Sequence, residues 1–98
     1  MELYAILRRH GWRTPEELQE AAARSTRVSD EEMSADVRWI RTYVLSETTG
    51  AVGTICLYEA TSPEALRRHA ELADLPIDEI IPVSDTVITR PDPLEAPA

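Results

Sequence analysis

Two runs, VRWIRTYVLS (37–46) and AVGTICLYEA (51–60), constrain this chain most. Both are rich in β-branched and aromatic residues, and the intervening ETTG suits a short loop, so the middle of the chain reads as an antiparallel hairpin. With Ser46 opposite Ala51, Arg38 faces Glu59, Trp39 faces Tyr58, Ile40 faces Leu57 and Arg41 faces Cys56. The ion pair and the aromatic pair that result support this register.

Helices flank the hairpin. Thr14, Pro15 and Glu17 supply an N-cap, a first-turn proline and a capping-box acid for a helix over about Pro15 to Arg24, with Leu18, Ala21, Ala22 and Ser25 on one face. Ser62, Pro63 and Glu64 open a second helix, which carries Leu66, Ala70 and Ala73 and stops before Pro76. The stretch STRVSDEEMSAD lacks a sustained apolar stripe and reads as a connection with a short helical turn. ELYAILRR (2–9) is a first strand broken by HGWRT, and DEIIPVSDTVIT is a last one that Pro82 confines to an edge or a bulge. RPDPLEAPA (90–98), almost without apolar mass, reads as a mobile proline-rich tail.

The order strand, helix, strand, strand, helix, strand implies an α+β, ferredoxin-like domain over residues 1–89, with a four-stranded antiparallel sheet and both helices on one face. A chain of 98 residues has room for one such core. Its formal charge of -8 repels phosphate backbones and anionic lipid, which excludes nucleic acid and membrane surfaces as expected partners. One cysteine makes neither a disulfide within the chain nor a CxxC motif, and no apolar run approaches the ~18 residues of a membrane helix. A cytoplasmic protein is expected.

Parity then sorts the hairpin. Ile40, Val44, Ile55 and Leu57 share one face, while Val37, Trp39, Tyr43, Leu45, Val52, Cys56 and Tyr58 share the other. Compact aliphatics suit the helix side, which leaves the aromatic face open and predicts a two-fold homodimer with sheets packed face to face, in the manner of a dimeric α/β barrel. On that face Trp39, Arg41, Tyr43, Cys56 and Tyr58 are the candidate ligand-binding residues, with Arg41 placed to stack on rings or to hold an anion. The same parity puts the sheet between Cys56 and His69 and turns Glu59 toward the helices.

A transition-metal site wants three or more His, Cys or carboxylate ligands. His10, Glu59 and His69 are the candidates, and the blander readings are a loop residue, a partner for Arg38 and a helix packing residue. Cys56 reads as a small interface hydrophobe.

At VRWIRTYVL, GTICLYEATSPEALRRHA and LPIDEIIPV the sequence resembles a bacterial domain-of-unknown-function family that includes small dimeric actinobacterial nickel-binding proteins with a ferredoxin-like fold. The resemblance covers roughly residues 2–88. It implies the same fold, a homodimer, and nickel or another divalent metal as a possible cofactor. The family's metal-binding branch looks histidine-rich after the first strand and along the second helix; here RRHG keeps His10, His69 is displaced by about one position, and Glu59 matches an acidic position. The expected function is a small dimeric ligand- or metal-binding protein. The alternatives are an enzyme of the dimeric α/β-barrel type, haem-dependent or cofactor-independent, and a structural or regulatory dimer.

Overall fold

The computed structural model describes residues 1–93. The end of the expected tail, residues 94–98, lies outside the described residues. The elements are β1 (Glu2–Trp12), α1 (Pro15–Arg27), a π-helical turn (Val28–Glu32), β2 (Val37–Ser46), β3 (Val52–Ala60), α2 (Pro63–Ala73) and β4 (Glu79–Pro82). All strand pairs are antiparallel, in the order β2-β3-β1-β4. This is the ferredoxin-like arrangement, and β4, which ends at Pro82, is an edge strand as a proline requires.

Local chemistry sets the helix limits. The Thr14 hydroxyl accepts from the Glu17 N–H at 3.2 Å, and the Ser62 hydroxyl accepts from the Ala65 N–H at 3.1 Å. α1 runs past Arg24 into the π-helical turn, which brings Val28 and Met33 into the core. α2 closes on Asp74 in the left-handed region (φ 56°), with the Leu75 N–H bonded to the Ala70 carbonyl at 2.8 Å.

The hairpin register holds at Arg38–Glu59 and Trp39–Tyr58 and then shifts. Arg41 faces Leu57 instead of Cys56, Thr42 faces Cys56, and Ser46 faces Val52 instead of Ala51. Ile40 is the extra residue of a β-bulge, and one inserted residue turns every later side chain of β2 to the other side. β1 is also irregular: it passes through His10 (φ 52°) to resume at Trp12 opposite Val52, so the HGW segment bends the strand without ending it.

Along β3, and along β2 as far as Trp39, the faces are the reverse of those expected from the hairpin, whereas past the Ile40 bulge Tyr43 keeps its expected open side and Val44 its expected helix side. Tyr4, Ile6, Val37, Cys56 and Tyr58 are buried under the helices with Leu66 and Ala73, while Tyr43 and Ile40 are exposed on the open side. The physical reason is area: aromatic side chains bury more apolar surface than the compact aliphatics of the other face, provided the tyrosine hydroxyl is satisfied. A buried Tyr needs a polar partner at its tip, and Ser25 of α1 lies 3.0 Å from the Tyr58 Oη.

Candidate functional site

Helix α1 does not seal the sheet it covers. Between it and strands β1, β3 and β2 lies a chamber of about 250 Å³. Trp12, Leu18, Ala21, Ala22 and Leu75 line it on one side, and Trp39, Thr42, Val44, Thr54, Cys56 and Tyr58 on the other. Both tryptophans of the chain therefore face it. Exposed Gln19 and Val44 mark its rim.

A chain of polar contacts follows the sheet wall. The Trp39 Nε1–H donates to the Thr42 hydroxyl at 2.8 Å, that hydroxyl donates to Cys56 Sγ at 3.3 Å, and the thiol reaches the Thr54 hydroxyl at 3.4 Å. Trp39 stacks on Tyr58, with centroids 6.1 Å apart and planes at 16°. The far side of Tyr58 meets His69, which is 0% exposed, at 5.3 Å. His69 Nε2–H donates to the Ser25 carbonyl at 3.2 Å, and burial lowers the imidazole's proton affinity below its ordinary value, with Arg8's charge acting in the same sense. The ring is thus neutral. Burial likewise raises the Tyr58 phenol, so it stays protonated.

Arg8 also lines the chamber and is 1% exposed. Its Nη1 donates to the Pro76 carbonyl at 2.6 Å, whereas Nη2 is buried with no acceptor among the described residues. Sequence reasoning missed this residue, although a signal was there. Strand alternation puts Arg8 in line with Tyr4 and Ile6, two core positions, so a charge stood on the buried face of β1.

The expected binding residues divide between the two faces. Trp39, Cys56 and Tyr58 line the chamber, whereas the Ile40 bulge carries Arg41 and Tyr43 to the open side. There Asp92 accepts from the Arg41 guanidinium at 2.5 Å and from the Tyr43 hydroxyl at 2.8 Å, and residues 86–92 lie beside Leu3, Ile40 and Leu57. Asp92 belongs to the described start of the expected tail.

The expected metal ligands stand apart. His10 sits at the β1 bulge, its Nε2 3.4 Å from Glu47 and its Nδ1 3.0 Å from the Thr49 hydroxyl. Glu47 is already bound by Arg9 at 2.9 Å and by the His10 N–H at 2.8 Å; the Arg9 hydrogen bonds hold its carboxyl below the usual range, against the effect of burial. Glu59 lies on the open face with Arg38, 3.3 Å away, rather than toward the helices. His69 is in the core on the same side of the sheet as Cys56, a correction to the expected separation, since the buried face is the one that carries Cys56. Among the described residues no group of three or more His, Cys, Asp or Glu side chains is gathered to hold an ion. As one chain places them, these residues do not fit nickel. Nor is any described helix long and apolar enough to cross a membrane.

A comparison with curated proteins found no match. Among solved structures, the crystal structure of SCO4226 from Streptomyces coelicolor A3(2) aligns with a TM-score of 0.68 at 23% identity, covering 87% of this chain and 99% of that one. At that identity the likeness speaks for the fold. A family model described as "Nickel responsive protein SCO4226-like" matches residues 4–83, a span that holds both helices and all of the sheet but Glu2 and Leu3. The chain belongs to the SCO4226-like family of nickel-responsive proteins.

Proposed function

We propose that this protein is a homodimer that binds a small, largely apolar organic ligand in the chamber beneath α1. The observation that carries the reading is the chamber itself. Helices normally pack close against the sheet they cover, yet here a cleft of about 250 Å³, open to solvent at its rim, remains between α1 and the sheet. Its wall of tryptophan, leucine and alanine with a few hydroxyls is the composition of a ligand site, at a size below that of drug-sized pockets. The two tryptophans give a direct readout. In a 15N-resolved NMR titration, 2-naphthalenemethanol or 2-naphthoate is expected to shift both indole N–H signals, and indifference of both signals to both compounds would remove the chamber as a binding site.

Family membership favours a second reading, in which nickel is held between protomers with His10 and Glu47 as each chain's donors. One protomer is short of the ligands such an ion needs. Calorimetry on tag-free, chelator-stripped protein tests it. Stoichiometric nickel uptake that His10→Ala abolishes supports the reading, and absence of heat sinks it.

A further inference from the structure

An arginine without an acid is conspicuous in a chain with eighteen acidic and ten basic side chains. Arg8 is 1% exposed, and its Nη2 has no acceptor among the described residues. Arg8 is therefore a charge held inside the fold. The acids near it in sequence and space are taken. Glu47 is held by Arg9 and His10, and the Asp78 carboxylate accepts from the Arg9 N–H. A buried, uncompensated charge is strongly destabilising unless something supplies the counter-charge.

We propose that the chamber selects a carboxylate-bearing ligand, a compact aromatic or aliphatic acid whose head accepts from Arg8 Nη2 and whose apolar body lies between Trp12, Leu18 and Trp39. The proposal rests on the reading of the chamber as a ligand site and adds the chemical class. The lining supports it at both ends. The walls are indole and aliphatic carbon almost throughout, and the groups beside Arg8 are Thr54, its partner across β1 and β3 and itself 1% exposed, and Tyr58, on whose phenol the Arg8 charge acts. No carboxylate of the described chain lines the chamber to repel a bound anion. His69, neutral behind Tyr58, adds no competing positive charge.

The test compares two molecules of nearly the same shape, 2-naphthoate and 2-naphthalenemethanol, against the wild-type protein and Arg8→Met. Wild type is expected to bind the acid about tenfold or more tightly than the alcohol, the discrimination that one charge-assisted hydrogen bond supplies. Arg8→Met is expected to bind both alike, and its ligand-free form to melt above wild type because the unpaired charge is gone. An Arg8→Met protein that melts lower and still prefers the acid overturns the proposal and makes Arg8 a structural residue. Equal wild-type affinity for acid and alcohol also overturns it while leaving the chamber as a site. Binding of neither compound overturns both. Should Arg8→Met fail to fold, the wild-type pair of affinities decides alone.

Discussion

His69 is a core residue with a titratable ring. Folding holds it neutral, because charging it would place a cation among Tyr58, Ser25 and the Arg8 guanidinium. The unfolded chain carries no such penalty and takes up a proton near the ordinary value of about 6.5. Stability from this residue is therefore fully present above that pH and is lost as pH falls below it. Urea midpoints are expected to drop between pH 7 and pH 5, and His69→Gln to flatten that part of the profile. An unchanged slope in the variant would mean that the folded protein tolerates a charged ring. The neighbouring hydroxyl is a separate prediction. Tyr58→Phe loses the contact with Ser25 and should cost about 1 kcal/mol in denaturant unfolding; a value near zero would show that His69 Nε2, 3.3 Å from the Ser25 hydroxyl, satisfies it alone.

At the level of elements, much of the fold was legible. Thr14 and Ser62 announced their helices because capping is local chemistry, and the β-branched runs around ETTG announced the hairpin. Which face the helices would cover was not legible from the same runs. Alternation sorts side chains into two sets without saying which set is inside, and here both were apolar. The contact that satisfies the buried tyrosine, Tyr58 with Ser25, lies between residues 33 positions apart. The Ile40 bulge was equally silent, since no glycine or proline marks it, and it alone separates Arg41 and Tyr43 from Trp39, Cys56 and Tyr58 as a candidate site. The β1 bulge makes its own demand on β3. A Cβ at Gly53 would stand 2.9 Å from the Arg8 carbonyl oxygen and 3.0 Å from Glu47 Oε2. Gly53→Ala is expected to destabilise by about 1–3 kcal/mol, as overpacking does, measured by chemical denaturation; a neutral effect would mean that the bulge yields.

On the scale of the whole molecule, the open face of the sheet joins Leu3, Ala5, Ile55, Leu57 and Tyr43 across three strands. The homodimer proposed above, formed through this face, is expected to dissociate in Leu57→Glu, read as a halved mass in analytical ultracentrifugation, and a wild-type protein that sediments as a monomer would refute the assembly. The charge of the molecule bears on the chamber too. Among the described residues the unpaired Arg8 guanidinium lies buried within a chain of formal charge -8, so an acid bound for Arg8 approaches a surface of its own sign. Added salt screens that long-range repulsion but reaches a buried pair much less. Ligand capture should therefore quicken as ionic strength rises while release hardly changes, so that affinity grows with salt where most ion-paired complexes weaken.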